Sequence, residues 1–307
     1  MIPSHERRPQ LTALLASLAT HAGSRVSEVV VVDDSRRPTV RREEFPQLDL
    51  RVVRLEDRAF ISRARNVGLA RVQSEFVYVV DDDNRCDPTT LPHPLAGLAG
   101  DRTVGALMPS VLYHRRPDLV WVYSTPFRRD RWGFELVGRN LPRDPSWENR
   151  WLPTDALPNA AVFRRDALAA VGGYDERMPV SSTADLCQRL KAAGWGVWAD
   201  SFALTRHDVE PPGAAAFWAE HSVDPARQYY DKHDWFVFQR RVHAGEPAFP
   251  ARALVHAAPF LLTSLVAFLL RGDAKTSALT LAVGRGVIGG LRTAAGEAGK
   301  VAYNPSG

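Results

Sequence analysis

Three consecutive carboxylates, Asp81, Asp82 and Asp83, follow directly on the apolar run Phe76–Val80. Adjacent acidic side chains repel one another, and holding them at the edge of a core is costly unless a cation neutralises them. Carboxylate oxygens suit Mg²⁺ or Mn²⁺, and Mg²⁺ is usually held by one or two carboxylates together with substrate phosphates. Taken alone, the run predicts a divalent-cation site or, with equal weight, a solvated acidic turn.

Strands and helices alternate around these acids. Phe76–Val80 is rich in β-branched and aromatic side chains, which is typical of a strand buried on both faces. The stretch Ser27–Val32 ends in the same way, at Asp33–Ser35. A further strand is predicted at Leu50–Leu55, and helices are predicted at Gln10–Thr20 and Ser62–Ala70. The alternation predicts βαβ units in an α/β fold with a mostly parallel sheet, whose ligands bind at the carboxyl ends of the strands.

Composition limits the class of protein and its partners. The 307 residues are 45% hydrophobic and 24% charged, as in an ordinary globular protein with a sizeable core. The net charge of +4 suits anionic partners such as nucleotide phosphates or lipid headgroups, but it is too small to indicate nucleic-acid binding. Cys86 and Cys187 form neither a disulfide framework nor a zinc motif, which favours a reducing compartment. No secretory leader is predicted.

Several sequence blocks occur in the order and at about the spacing found in family 2 glycosyltransferases, and over roughly residues 1–210 the chain resembles that family. The blocks are Ile2–Ser4, Val31–Ser35, Ser62–Leu69, Asp81–Asn84, Leu157–Ala161, Val162–Arg165, Val171–Glu176 and Asp185–Trp195. Each block is weak by itself, but their ordered combination is specific. The resemblance implies a Rossmann-like GT-A fold with a nucleotide-sugar half at 1–100 and an acceptor half at 101–210. The region 211–307 lies beyond it and is predicted to be helical.

The resemblance implies a divalent-cation site for the acidic run. Asp83 would bind Mn²⁺ or Mg²⁺, Asp82 would face the ribose or the metal, and Asp81 would support the turn. His207 matches a position from which a histidine reaches the metal or the diphosphate in many members of the family, and a structural histidine is the alternative. A cation there would offset the charge of the diphosphate leaving group as the glycosidic bond breaks.

The donor itself would be bound by residues of the first half. The candidates are Pro3, Ser4, Glu6, Asp34, Arg65 and Asn66. By the resemblance Asp34 contacts the base, with Ser4 beside it, whereas a turn or a helix N-cap is the alternative for Asp34. Arg65 suits bidentate contact with phosphate, and Asn66 could brace the acidic loop. Without the surrounding motif both would be assigned to a solvated helix face.

The general base is where this sequence departs from the family pattern. Inverting transfer needs a carboxylate that takes the proton of the acceptor hydroxyl. The family pattern Glu-Asp-x-Asp-Leu corresponds here to Ser182–Leu186, so Thr183 stands at the base position. We predict Asp185 as the base, with Asp208 and Glu210 as alternatives. The departure also favours an alternative function, a catalytically inactive relative that binds nucleotide sugar or glycan as a scaffold.

The acceptor half and the tail indicate where an acceptor would come from. Between Trp121 and Trp151, tryptophans alternate with arginines, which could stack on sugar rings and meet phosphates, although any single tryptophan more often packs onto the sheet. A helix is predicted over Trp218–Arg241. The apolar runs Ala253–Leu270 and Ala278–Leu291 fit in-plane or re-entrant attachment to a membrane surface better than a confident span. Buried helices in an appendage or a dimer interface are the alternative.

These observations predict a metal-dependent inverting glycosyltransferase that adds a single sugar from a nucleotide-diphosphate sugar to a glycan or lipid-linked acceptor at the cytoplasmic face of the membrane. Single addition is favoured because the chain has no Gln-x-x-Arg-Trp motif, which the processive synthases of the family carry. A nucleotidyltransferase is disfavoured because the loop Pro3–Pro9 contains no glycine that would help it grip a triphosphate.

Overall fold

The structure is a computed structural model that describes residues 1–211 and 224–296. The described chain divides into two compact units. One contains residues 1–175 and 183–211, and the other joins the short segment Glu176–Ser182 to the described residues from 224 onward. The segment Glu176–Ser182 therefore groups with the helices of the tail, although it lies within the predicted first domain.

The first unit begins with a three-stranded parallel sheet. In spatial order its strands are β1 (Ile2–Ser4), β2 (Val29–Asp33) and β3 (Leu50–Arg54). Two helices accompany it, α1 (Arg8–His21), whose buried face consists of leucines, and α2 (Phe60–Leu69). Ser4 pairs with Asp33, and Asp33 pairs with Arg54, so polar residues form one row at the carboxyl ends of all three strands.

The rest of this unit is a mixed sheet with flanking helices. Its strands are β4 (Phe76–Val80), β5 (Asn84–Cys86), β6 (Val104–Tyr113), β7 (Val120–Val122), the hairpin β8 (Phe127–Arg128) and β9 (Gly133–Phe134), β10 (Trp151–Pro153), β11 (Ala160–Arg164) and β12 (Gly196–His207). Its helices are α3 (Pro92–Gly100), α4 (Arg165–Ala170) and α5 (Ser182–Ala192). The main strands lie in the order β10, β12, β6, β11, β4, and β8 pairs only with β9 among the described strands. β12 runs parallel to β6, whereas β11 is antiparallel to both of its neighbours.

Hydrogen bonds at the N-terminus join the two sheets. The Met1 amino group donates to the Tyr78 carbonyl oxygen at 2.7 Å, and the Val80 amide donates to the Met1 carbonyl oxygen at 3.2 Å. These bonds bring β1 beside β4, so that the end of β1 meets the acids that follow Val80. The predicted α/β architecture is confirmed. Among the described strands its parallel pairs are β1–β2, β2–β3 and β6–β12. The antiparallel direction of a strand such as β11 depends on tertiary connections that an apolar run does not encode.

The second unit contains three helices within the described residues. They are α6 (Pro225–Val242), α7 (Phe249–Arg271) and α8 (Ala274–Gly296). α6 and α8 approach closely, because a Cβ atom added at Gly286 would lie 2.3 Å from the Tyr229 carbonyl oxygen. The predicted helix Trp218–Arg241 is found from Pro225 onward. Its first residues, 218–223, lie outside the described residues.

Helix α7 turns its large apolar side chains outward. Its buried positions are mostly small, namely Phe249, Ala253, Ala257, Ser264 and Ala267. Its outer positions include Leu254, Val255, Leu262, Leu269 and Leu270, which are 62% to 70% exposed. By length and composition α7 is the one helix of the described chain that could cross a membrane, with a mean hydropathy of 2.1 over 18 residues. The predicted alternative of a helix buried within this chain therefore does not fit α7, and the alternative of a dimer interface stays a prediction.

Candidate functional site

The acidic run lies where the ends of β1 and β4 meet. The Ser4 hydroxyl donates to Asp82 Oδ2 at 2.8 Å, and both residues are 5% exposed. Arg7, which precedes α1, donates through Nη1 to Asp83 Oδ2 at 2.6 Å and to Asp82 Oδ1 at 3.4 Å. The prediction placed Ser4 beside Asp34, whose amide donates to the Ser4 carbonyl oxygen at 3.2 Å, and the bond from Ser4 to the acidic run is a further contact. The contact made by Arg7 was missed, because a loop arginine next to a second arginine, Arg8, carries no distinguishing signal.

His207, the last residue of β12, reaches the same acids. Its Nε2 atom lies 3.4 Å from Asp83 Oδ1, and its Nδ1 atom lies 3.1 Å from Nδ2 of the Asn159 side chain. Asn159 has a positive φ of 68°, a conformation that asparagine tolerates better than most residues. In that conformation its carbonyl oxygen accepts the Asp81 amide at 2.8 Å. Asn159 thus supports both the histidine and the acidic turn, a role that its sequence block did not reveal.

The two buried carboxylates differ in their electrostatics. Burial raises the pKa of Asp82 to about 7; the Asp83 charge acts in the same direction, and the Arg7 charge opposes both. Burial also opposes ionisation of Asp83, but His207 and Arg7 outweigh it and lower the pKa of Asp83 to about 2. At neutral pH the site therefore presents one carboxylate that is fully charged and one that can share a proton.

The N-terminal loop and the end of β2 form the next part of the edge. Asp34 accepts the Ala59 amide at 2.6 Å through Oδ2, and its Oδ1 lies 2.9 Å from His5 Nδ1. Glu6 has a positive φ of 54° and accepts the Arg36 amide through its carboxylate at 2.8 Å. Pro3 is buried within β1. The structure therefore places Pro3, Glu6 and Asp34 along one edge, and it gives both Asp34 oxygens a protein partner.

Arg65 and Asn66 lie on α2 and act on other protein groups. Arg65 is 3% exposed and donates to Asp81 Oδ1 at 2.6 Å, with its guanidinium 5.1 Å from the centre of the Tyr174 ring. Asn66 donates to the Tyr174 carbonyl oxygen at 2.8 Å and accepts the Tyr174 amide at 2.9 Å. Asn66 thus braces the turn at Gly173, which has a φ of 70°, whereas the prediction had it brace the acidic loop.

The base candidates are all paired with arginines. Asp185 is fully buried in the first turn of α5 and accepts Arg189 Nε at 2.8 Å. Asp208 donates its amide to the Asp83 carbonyl oxygen at 2.8 Å, and its Oδ2 accepts Arg85 at 2.6 Å. Glu210 forms an ion pair with Arg115. Of the three, Asp208 bonds to the acidic run, whereas Asp185 would have to be uncovered before it could meet an acceptor.

A divalent cation fits this edge only with help from a substrate. Within residues 1–211 and 224–296, no group of three or more histidine, cysteine or acidic side chains is arranged to hold a metal ion. Asp83 and His207 nevertheless present a carboxylate oxygen and an imidazole nitrogen that face each other at 3.4 Å. Mg²⁺ usually takes one or two carboxylates and completes its coordination with substrate phosphates and water. The donor set therefore suits a cation that arrives with a diphosphate.

The predicted acceptor stretch divides into packed and accessible tryptophans. Trp132 is 1% exposed and belongs to the core, so it cannot stack on a sugar in this arrangement. Trp121 is half-buried and meets the His207 ring edge-to-face at 5.1 Å, and Arg139 lies 4.2 Å above its ring. Trp147 is 39% exposed. Trp121 is therefore the tryptophan that links this stretch to the acidic edge.

Comparison with known families agrees with this geometry. A sequence model of Glycosyl transferase family 2 matches residues 1–172, which is more than half of the chain. The chain belongs to glycosyltransferase family 2. Among curated family members, the Pre-mycofactocin glycosyltransferases of two Mycobacterium tuberculosis strains, CDC 1551 and H37Rv, are each 29% identical over 212 residues, or 68% of this chain. The match covers 42% of those relatives, so this chain aligns with less than half of their length.

Solved structures of other proteins share this fold and confirm the GT-A architecture. Staphylococcus aureus TarS 1–349 in complex with UDP-GlcNAc gives a TM-score of 0.55 at 18% identity, covering 93% of this chain and 79% of that chain. The mannosyltransferase PcManGT from Pyrobaculum calidifontis, in complex with GDP-Man and Mn²⁺, gives 0.54 at 18% identity, covering 94% and 85%. GalNAc-T7 with UDP, GalNAc and Mn²⁺ gives 0.55 at 12% identity, covering 81% and 51%. At these identities the likeness concerns the fold alone.

Proposed function

We propose that this protein transfers a single sugar, with inversion and with the help of a divalent cation, from a nucleotide-diphosphate sugar to a glycan or lipid-linked acceptor. The observation that carries the proposal is the meeting of Ser4, Asp82, Asp83 and His207 at the carboxyl ends of strands from two sheets. Ligands of α/β sheets bind at such edges. Family membership supports a nucleotide-sugar donor, as do the complexes of two fold neighbours with UDP-GlcNAc and GDP-Man.

Asp83 and His207 would hold the cation, and Asp82 would face it or the donor ribose. Imidazole is a better ligand for a transition-metal ion than for Mg²⁺, so we favour Mn²⁺. When bound, the cation supplies charge stabilisation to the departing diphosphate. The contribution of the protein is to keep Asp83 ionised, as its pKa of about 2 ensures, and to orient His207 through Asn159.

The donor base and ribose would lie along the ends of β1 and β2. The Ala59 amide and His5 already contact the two Asp34 oxygens, so a base N–H would either displace His5 or use the remaining acceptor site of Asp34 Oδ1. Pro3 and Glu6 would shape this edge. Arg65 would act by fixing Asp81, and Asn66 by fixing the turn at Gly173, so both position the site.

For the acceptor proton we keep Asp185, because α5 begins with the segment that matches the base segment of the family. Its carboxylate is fully buried beside Arg189, so it can serve only if donor or acceptor binding opens the first turn of α5. The same burial, together with Thr183 at the usual base position, favours the second candidate function, an inactive scaffold that binds nucleotide sugar or glycan. Turnover of any donor separates the two.

Attachment to the cytoplasmic face of a membrane is the third part of the proposal. It rests on α7, whose leucines face outward while alanines and a serine face the protein. Small residues at helix contacts and large apolar residues on the outside are the arrangement of helices in lipid. Arg252 and Arg271 flank the apolar run, and arginine side chains can reach anionic headgroups. A lipid-linked acceptor would then be presented at the same surface.

The test of the donor site is a thermal-shift screen with UDP-, GDP- and dTDP-sugars, each with and without Mn²⁺ or Mg²⁺. A ligand at about a hundredfold its Kd stabilises the folded protein by roughly 2.7 kcal/mol, which shifts the melting temperature measurably. We expect a metal-dependent shift with one nucleotide family, and its loss in Asp83→Ala with the fold intact by circular dichroism. A variant that keeps both metal-dependent binding and turnover would refute the metal site.

A further inference from the structure

Arg7 occupies the position from which a cation would neutralise the acidic pair. Its Nη1 atom lies 2.6 Å from Asp83 Oδ2 and 3.4 Å from Asp82 Oδ1. Two oxygens of this pair have other protein partners, since Asp82 Oδ2 accepts Ser4 and Asp83 Oδ1 faces His207. Of the two that Arg7 contacts, Asp83 Oδ2 is the nearer. Asp83 Oδ2 is therefore the oxygen whose charge the guanidinium neutralises directly.

A divalent cation and the Arg7 guanidinium compete for the Asp83 carboxylate. Positive charges a few ångströms apart repel strongly where water is largely excluded, as it is around these buried acids. A cation held between Asp83 and His207 would face the guanidinium across this one carboxylate, so each positive charge weakens the binding of the other. Metal binding is therefore tightest when Arg7 moves away. Its side chain is 43% exposed, which leaves it room to do so.

A diphosphate gives the displaced arginine a new partner. A guanidinium binds phosphate oxygens in a bidentate manner, and the phosphates would arrive with the cation that takes its place. We propose that Arg7 is an exchangeable counterion, paired with Asp83 in the empty site and with the diphosphate in the loaded one. This inference rests on the proposed function, namely on Asp83 as a metal ligand. Its consequence is coupling, because metal and nucleotide each bind better in the presence of the other.

The experiment measures Mn²⁺ binding directly, by titration calorimetry or by the electron paramagnetic resonance signal of free Mn²⁺. It compares the wild-type protein with Arg7→Gln, without nucleotide and with saturating UDP or GDP. Without nucleotide, we expect Arg7→Gln to bind Mn²⁺ about tenfold or more tightly than the wild type, because one nearby positive charge is gone. The factor by which nucleotide improves Mn²⁺ binding should shrink by a similar amount.

Arg8→Gln is the matched control. Arg8 is the next residue, but it pairs with the Thr39 carbonyl oxygen and with Glu44 Oε2, away from the acidic pair. The control should keep the wild-type Mn²⁺ affinity and the wild-type coupling. Circular dichroism of both variants separates an effect on binding from a loss of fold.

The outcomes distinguish the exchange from the metal site itself. If the wild type binds Mn²⁺ with a nucleoside diphosphate and Arg7→Gln leaves both affinity and coupling unchanged, the exchange is overturned and the metal site stands. If nucleotide binds without metal and Arg7→Gln abolishes that binding, Arg7 binds the diphosphate whether or not a metal has displaced it from Asp83. The exchange is then again overturned. Failure of both proteins to bind Mn²⁺ under every condition overturns the proposed metal site as well.

Discussion

The buried carboxylates of the first unit and the exposed leucines of α7 in the second unit are opposite exceptions to the usual distribution of polar and apolar side chains. In the first unit carboxylates lie inside, since Asp33 and Asp185 are fully buried and Asp82 is 5% exposed. In the second unit leucines lie outside, since Leu262 and Leu269 on α7 are 62% and 70% exposed. Buried charges are costly unless paired, and clusters of exposed leucines are costly in water, so each arrangement needs a partner.

The partners differ in kind. The three buried carboxylates named above already accept hydrogen bonds from the protein, such as Ser4 for Asp82 and Arg189 for Asp185. Only a ligand that replaces those donors can use such a group. The outer face of α7 is instead covered by no residue of the described chain. Burying it therefore needs an apolar partner, such as lipid or a second protein surface. A ligand of the first unit therefore has to replace existing hydrogen-bond donors, whereas a partner of α7 only has to cover exposed apolar surface.

The largest effect is expected on turnover, from a substitution of the buried carboxylate Asp185 in the first unit. We expect Asp185→Asn to lower turnover by about 100-fold or more, as removal of a general base does. The matched variant is Arg189→Lys, which keeps a cation beside Asp185 and removes the guanidinium. If Asp185 is the base, Arg189→Lys retains most of the turnover. Equal losses in the two variants, measured per folded molecule, would mean that the pair only stabilises α5.

The sequence predicts the acidic edge well and its partners poorly. A continuous apolar run that ends in acids places Asp33 and Asp82 at the carboxyl end of a buried strand, whatever the rest of the fold does. Arg7 and Asn159 depend on the positions of neighbouring loops, which no local pattern encodes. The burial of Asp185 follows from how α5 packs. Hydropathy likewise marks α7 as apolar, but only tertiary packing shows that its alanines face inward.

The next prediction tests the apolar side of the comparison. We expect the triple change of Leu262, Leu265 and Leu269 to serine to weaken binding to lipid vesicles by about 100-fold or more, because each leucine contributes up to roughly 2 kcal/mol when buried in hydrocarbon. The free energy of unfolding in water should change by less than about 0.5 kcal/mol per site, since these side chains are already exposed. Flotation with vesicles measures the first effect, and urea unfolding the second.

Exposed leucines of the first unit provide the control for that change. Leu136 and Leu141 are 42% and 60% exposed, so replacing both by serine removes apolar surface of a similar kind. This double variant should float with vesicles as the wild type does. If the α7 variant instead converts a dimer to a monomer and leaves vesicle binding unchanged, then α7 covers a second copy of the chain and not a membrane.

The smallest expected effect concerns how the helical unit holds α8. A Cβ atom at Gly286 would lie 2.3 Å from the Tyr229 carbonyl oxygen on α6, whereas a Cβ atom at Gly284 would meet nothing within 4 Å. Gly286→Ala should therefore destabilise the helical unit by about 1–3 kcal/mol through overpacking against a backbone that cannot turn aside. Gly284→Ala, two residues away on the same helix, should stabilise it by roughly 0.5–1 kcal/mol through reduced entropy of the unfolded chain. Opposite shifts in the urea midpoint would place the close contact between α6 and α8 at Gly286. Equal stabilisation by both alanines would mean that α8 is held in some other way, and that the outward leucines of α7 belong to a different packing of the three helices.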